Sequence, residues 1–315
     1  MIKSAICDML AIKYPIFQGA MAWIADASLA SAVSEGGGLG IISAMNSPAE
    51  YLHSQIAAAR RVTDKPLGVN VMLMSPYAEE VAALLCEEPV DVITTGAGNP
   101  SKYIPMWKSA GKKVIPVVAS VAVAKIALRA GADALIAEGG ESGGHVGDLT
   151  TMVLVPQIAE MTDVPVIAAG GIYDGRSLAA AMMLGACGAQ MGTRFLCAHE
   201  CSVHANYKEK ILKAKDVDTI TTGKRLGHPV RSLKTPFSRE FLRQEYDSSV
   251  SNEALEALGG GALYRAAVKG DVESGCFMAG QVAAMVKEEM SAAEIISDVV
   301  FGAQELLKGA SEWVS

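Results

Sequence analysis

No stretch of this sequence stays apolar for the roughly 20 residues that a bilayer-spanning helix needs. The opening "MIKSAICDML" also lacks the long apolar centre and small-residue cleavage site of a secretory leader. A cytoplasmic protein without a membrane partner is the expectation. The six cysteines, at positions 7, 86, 187, 197, 201 and 276, never form a C-x-x-C pair. Most sit in apolar surroundings, which argues for reduced thiols and against a disulfide framework. Cys197 and Cys201, with His199 and His204 nearby, match no familiar zinc spacing, so helix packing is preferred to a metal centre. Positive charge is in deficit: 27 lysines and arginines face 34 acids, for a net charge of −7. Such a balance argues against general affinity for nucleic acid, whose phosphates demand a basic surface. A dinucleotide fingerprint is missing too, since no G-x-G-x-x-G follows the first strand-like run with an acid at the expected distance. "GGGLG" at 36–40 precedes a strand-like run and reads as a helix-to-strand turn, so a separate Rossmann domain is disfavoured.

What is present is a compact chain of 315 residues, 50% hydrophobic and 19% charged, enough for two ordinary domains or one large α/β barrel. Eight short apolar or β-branched runs recur: "YPIFQGAM", "GLGIISA", "PLGVNVML", "VDVITTGAG", "KVIPVVAS", "DALIAEGG", "VPVIAAGG" and "GAQMGTRF". Starts at Val69, Val92, Val114, Ala134, Val166 and Gln190 are 23, 22, 20, 32 and 24 residues apart, about one strand-helix unit each. Intervening stretches such as "DGRSLAAAMMLGA" have helix-forming composition and a capping residue at the start. The expected fold is therefore α/β, a (β/α)8 barrel, with a doubly wound open sheet as the alternative. Glycines and polar groups after nearly every run favour the barrel, where all such positions open onto one carboxyl face.

The domain reading is a barrel over 1–202, a small substrate- and cofactor-binding domain over 203–277, and helices over 278–315 returning to the barrel. The long interval after the eighth run motivates it, with a helix expected to resume at "MAGQVAAMVKEEM". Between Asn206 and Arg243 ten basic residues face four acidic ones, leaving −13 on the rest of the chain. Three readings of this basic segment stand side by side: a surface that steers an acidic carrier protein, a contact for nucleotide phosphates, or a solvated helix face.

Two loops at the seventh and eighth runs place Gly170, Gly171, Gln190, Met191, Gly192 and Thr193 where barrels commonly bind phosphate through backbone N–H groups and a helix N-terminus. "FQGAM" brings Gly19, Ala20 and Met21 to the first loop, and Asn70 ends the third strand. These positions suit a flavin mononucleotide across the barrel mouth, with Asn70 and Glu138 bonding its polar edge. Taken singly, Asn70 also reads as a strand-end bond and Met21 as core. "EGGESGGHVG" sets His145 between glycines, with Ser142, Gly143 and Gly144 just before it. Such glycines serve unusual backbone angles or close approach to a ligand, and His145 is the candidate catalytic residue. His53, His199, His204 and His228 read as structural or exposed.

"YPIFQGAMAWIAD", "GVNVMLMSPYAEEV", "VITTGAGNPSKY", "IAEGGESGGHVGDLTTMVLVPQI", "PVIAAGGIYDG", "GAQMGTRF" and "NYKEKILKAKD" resemble the flavin-dependent enoyl-acyl-carrier-protein reductases, type II, of bacteria. The likeness runs from about Tyr14 to "GQVAAMV", and Ser142 stands where that family would have alanine. A related branch, the nitronate monooxygenases, shares the barrel, the flavin and the glycine-flanked histidine. The resemblance implies NAD(P)H-dependent reduction of a trans-2-enoyl thioester through FMN, with His145 stabilising the enolate or supplying the α-proton. It further implies an enoyl-acyl carrier protein as substrate partner, a homodimer, and activation by a monovalent cation. In the monooxygenase alternative the same imidazole acts as a base beside a nitro group. A barrel that only binds flavin or a phosphorylated metabolite is the non-catalytic alternative.

Overall fold

The computed structural model describes residues 2–313. Eight parallel strands form one sheet in the order β1 (Ile16–Gln18), β9 (Gly188–Met191), β8 (Val166–Ala169), β6 (Leu135–Glu138), β5 (Lys113–Val118), β4 (Val92–Gly96), β3 (Leu67–Met72), β2 (Gly40–Ser43). The eight runs read from the sequence are these strands, and the six strand starts read from spacing fall within two residues of those observed. Closure between β1 and β2 is made by few backbone bonds: Gln18 N–H donates to Leu39 O at 3.0 Å and Leu39 N–H to Ile16 O at 2.9 Å. The buried Gln18 side chain extends the seam, accepting from Ile41 N–H at 3.2 Å and donating to Ile41 O at 3.3 Å. A side-chain amide thus supplies the donor and acceptor that a longer strand would have offered.

Alternation along the strands sorts side chains into two cores. Ile41, Ile136 and Ile167 point into the barrel with Phe17, Leu39, Val92 and Ile115. Their neighbours Ile42, Leu135, Ala137, Val166 and Ala168 face the helical layer. Helix α1 (Ala5–Leu10) contributes Ile6 and Leu10 to the inner core. The outer layer is α2 (Ala27–Glu35), α3 (Ala49–Arg60), α4 (Ala78–Glu87), α5 (Ile104–Ser109), α6 (Val121–Ala130), α7 (Thr151–Ala159) and α8 (Gly175–Met183). The ring is completed by α13 (Ala292–Gly309), which packs on α8 and α2. Gly175 permits that contact, because a Cβ there would lie 2.3 Å from Ala303 N.

Within the segment after β9, α9 (Ala205–Leu212) sends Tyr207 and Ile211 into the main core. A second sheet, in the antiparallel order β10 (Thr219–Thr222), β11 (Val230–Leu233), β7 (Gly144–His145), borrows its third strand from the loop after β6. With α10 (Pro236–Glu245), α11 (Asn252–Gly259) and α12 (Ala262–Ala267) it builds a small lobe whose own core includes Phe237, Phe241, Leu255, Ala262 and Cys276.

One sequence expectation fails. "MAGQVAAMVKEEM" is not an α-helix: only a 3-10 turn, Gln281–Met285, occupies its middle, and Val286 is extended. Tertiary bonds outbid helical ones here. Gln281 N–H donates to Glu141 O, Gly280 N–H to Thr193 Oγ1, and Met290 pairs with the backbone of Cys197 and His199. The returning helix starts only at Ser291, whose side chain forms a capping box with Glu294. Among the described residues, no helix is long and apolar enough to cross a membrane.

Candidate functional site

One cavity of about 490 Å³ opens at the carboxyl ends of the barrel strands. Each candidate residue read from the sequence lines it. Gly19, Ala20 and Met21 come from the loop after β1, Asn70 from β3, and Glu138, Ser142, Gly143, Gly144 and His145 from the loop after β6. Gly170 and Gly171 follow β8, while Gln190, Met191, Gly192 and Thr193 end β9 and begin the next turn. The sequence reading missed an apolar share of the wall: Met45, Met72, Leu196, Tyr207, Leu263, Met278 and Val282. Of these, Met45 carried no signal, since its positive φ of 54° is unusual for a non-glycine residue and shows only in the fold.

The polar groups are held in defined orientations. Thr94 Oγ1 donates to Asn70 Oδ1 at 2.9 Å, which leaves the Asn70 amide N–H groups as donors for an occupant. Gly280 N–H donates to Thr193 Oγ1 at 2.9 Å, so the threonine hydroxyl keeps its own proton to give. Gly170 and Gly171 both have positive φ, 89° and 71°, and present bare backbone to the cavity. The end of α8 beyond them is taken by Asp174, whose carboxylate accepts from Ser177 N–H in a capping box. An anion at this place therefore depends on the loops and Thr193 rather than on that helix end. Close by, Arg194 is 4% exposed, forms no ion pair among the described residues, and stands 5.8 Å from the centre of the Tyr173 ring. Its guanidinium is held by Glu288 O and Met290 Sδ, leaving a positive field beside the Gly192–Thr193 turn.

The histidine loop is fixed from three sides. Glu141 sits at the start of α7, its carboxylate accepting from Thr151 N–H at 2.9 and 3.0 Å, where the helix dipole favours negative charge. Gly143 lies against the returning chain so closely that a Cβ would fall 2.6 Å from Ala279 C. Strand pairing sets Gly144 against Arg231 and His145 against Val230, and Val146 N–H donates to Pro229 O at 3.0 Å.

Electrostatics distinguish two groups. His145 is exposed where the cavity opens, yet burial of its ring lowers its pKa, and the nearby His228 lowers it further. Glu138 is pushed up to about 7 by burial, opposed by the nearby Ser142 hydroxyl. That hydroxyl forms no hydrogen bond of normal geometry and is itself buried. Cys197 and Cys201 lie in the main core, where burial pushes their thiols up to about 12 and about 11, while His199 is exposed. His204 Nδ1 accepts from Asn206 N–H at the start of α9, and His53 pairs with Glu88 on the outer surface at 2.5 Å. No group of three or more metal-ligating side chains gathers among the described residues.

Known proteins resemble this arrangement over the whole chain. The structure of FabK from Thermotoga maritima superposes with a TM-score of 0.97 and 47% identity, covering 100% of both chains. A Mycobacterium tuberculosis protein named (3aS,4S,5R,7aS)-5-hydroxy-7a-methyl-1-oxo-octahydro-1H-indene-4-carboxyl-CoA dehydrogenase is 32% identical over 99% of each chain. A probable nitronate monooxygenase of Staphylococcus saprophyticus is 31% identical over 97% of this chain and 99% of its own. The sequence profile described as nitronate monooxygenase matches residues 3–83 and 72–302. With that coverage, the chain belongs to the nitronate monooxygenase family, a family of oxidoreductases.

Proposed function

We propose that this chain is an FMN-dependent reductase that converts trans-2-enoyl-acyl carrier protein to the saturated acyl form with NAD(P)H, the last step of fatty-acid elongation. The observation that carries the reading is a single imidazole, His145, facing a cavity walled by glycine backbone, small polar groups and methionines. The full-length likeness to the Thermotoga FabK structure supports it.

The residues present fit the flavin. Consecutive glycines leave room for a phosphate beside Gly170, Gly171 and Gly192, with the Thr193 hydroxyl as a donor and Arg194 as a nearby positive charge. Asn70, Gln190 and Glu138 offer donors and acceptors to the polar edge of a ring, and Ser142 brings an uncommitted hydroxyl. When bound, FMN would supply the hydride chemistry between nicotinamide and the β-carbon of the enoyl group. The chain's own work is polarisation and proton delivery. Negative charge gathers on the thioester oxygen as the β-carbon is reduced, and His145 is the group to hydrogen-bond that oxygen or to pass a proton to the α-carbon. A lowered pKa makes its imidazolium a stronger acid, and the neutral ring still donates one N–H. Met45, Met72, Leu263, Met278 and Val282 suit an acyl chain.

The basic segment is less free than its composition implies. Arg231 turns inward, Arg225 holds backbone carbonyls, and Lys208, Lys213 and Arg243 pair with acids. Lys210 stands 5.3 Å from the centre of the Phe277 ring and, like Lys215, Lys224, Lys234 and Arg239, forms no ion pair among the described residues; these five are the part of the segment left to attract an acidic carrier protein.

The family profile and the staphylococcal relatives favour a second reading, oxidation of alkyl nitronates with oxygen, in which His145 accepts a proton. Two assays separate the readings, the first anaerobic and the second in air. Oxidation of NAD(P)H that depends on added crotonyl thioester supports the reductase. Failure of that reaction, with oxygen uptake on a nitroalkane in air, overturns it in favour of nitronate oxidation.

A further inference from the structure

We infer that Arg231 is a positioning residue for His145, locking the loop that carries the imidazole onto the small lobe. This rests on the role given to His145 above. Arg231 stands on β11 opposite Gly144, beside Val230, the cross-strand partner of His145. Its Nε and Nη2 both donate to Gly140 O, at 3.1 and 2.9 Å, while Nη1 donates to Thr219 Oγ1 at 3.3 Å. The loop is thereby held at two places: at Gly140 by a guanidinium fork, and at Gly144 to Val146 by strand pairing.

Between those points the backbone is glycine-rich and can pack few side chains, so little within the loop itself fixes where the imidazole points. The fixing must come from outside: Glu141 on Thr151 and Gly143 against Ala279 hold the middle of the loop, and β11 holds the end that carries the imidazole. A lysine cannot copy the arrangement, because it offers a point charge in place of a planar fork. The placement is also costly for simple stability. Arg231 forms no ion pair among the described residues, and burial lowers its pKa although the Glu141 carboxylate partly restores it. A half-buried cation that gives two of its donors to one carbonyl, five residues before the reacting imidazole, is better explained by geometry at that imidazole. Misplacement of a catalytic group by about 1 Å costs on the order of 100-fold in rate.

The test uses full-length, flavin-loaded protein in four forms: parent, Arg231→Met, His145→Ala and the double variant. Arg231→Met should lower kcat with the enoyl thioester about 10- to 100-fold, with the flavin spectrum and the KM for NAD(P)H unchanged. Arg231→Lys should recover little of that loss. In the His145→Ala background the second substitution should cost nothing further, because residues acting as one unit are non-additive. Amide exchange should quicken at residues 140–146 alone, a readout that holds even if turnover is too low to measure. A parent-like kcat in Arg231→Met, or losses that multiply in the double variant, overturns the positioning role. If His145→Ala itself turns over normally, the fault lies with the assignment of His145.

Discussion

Thr94 Oγ1 donates to Asn70 Oδ1 across neighbouring strands at 2.9 Å, and this one bond decides which end of the Asn70 amide meets whatever fills the cavity. Thr94→Val keeps the shape and removes the bond, freeing the amide to rotate. Loss of one such bond is worth about 1 kcal/mol, so flavin affinity should fall roughly fivefold while the fold persists. Fluorescence titration with FMN checks it; unchanged affinity would show that the orientation of Asn70 is immaterial.

In the proposed mechanism, His145 ties the chemistry to pH. Its folded pKa lies below the ordinary 6.5, so the unfolded chain takes up the proton first as pH falls. Stability from this group is therefore unaffected well above pH 6.5 and declines below it, until pH passes the folded value. Turnover adds a second signature. If the imidazolium gives the α-proton, kcat for thioester reduction should fall as pH rises through that lowered pKa. His145→Gln should keep the yellow colour, flatten the profile and lose about 100-fold or more in kcat. A parent-like rate in that variant would remove the imidazole from the mechanism.

Glu138 behaves in the opposite sense. Its pKa of about 7 in the fold exceeds the ordinary 4.5, so the native protein binds this proton more tightly than the unfolded chain does. Stability from the group is greatest below pH 4.5 and diminishes as pH rises towards 7. In protein stripped of bound small molecules, Glu138→Gln should therefore melt higher than the parent at pH 8 and lose the advantage near pH 5. At about 1.36 kcal/mol per pH unit the gain has a ceiling of about 3 kcal/mol, reduced by water entering the cavity. Parallel melting curves at both pH values would contradict the buried carboxylate.

The sequence exposed the barrel because each strand is an apolar run that ends in glycine or a polar residue, a local signal repeated eight times. His145 stood out for the same reason, as a titratable residue in a stretch stripped of side chains. What stayed hidden depends on long-range partners. Nothing local says that Gly144 and His145 form a strand with Arg231 and Val230, 87 and 85 positions later, or that Arg231 turns inward while Lys224 does not. "GQVAAMV" reads as helix because its composition is helical; bonds to Glu141 and Thr193 and the pairing at Met290 hold it to a single 3-10 turn. Arg194 escaped notice because burial of a cation without an acid partner has no signature in the chain order.

Lys224 offers a test of carrier recognition that the structure sharpens. It lies at the tip between β10 and β11, exposed and without an ion pair among the described residues, in the same turn as His228, which bears electrostatically on His145. A long-range positive charge on this turn should accelerate encounter with an acidic carrier protein and do little for a coenzyme A thioester of the same acyl chain. Lys224→Glu should lower kcat/KM for the carrier-bound substrate several-fold at low ionic strength. The coenzyme A thioester should change less than about twofold, and the difference should fade as salt shortens the screening length to about 8 Å. Equal losses for both substrates would mean that the tip serves nucleotide phosphates or plain solvation, leaving the acidic carrier without a steering surface there.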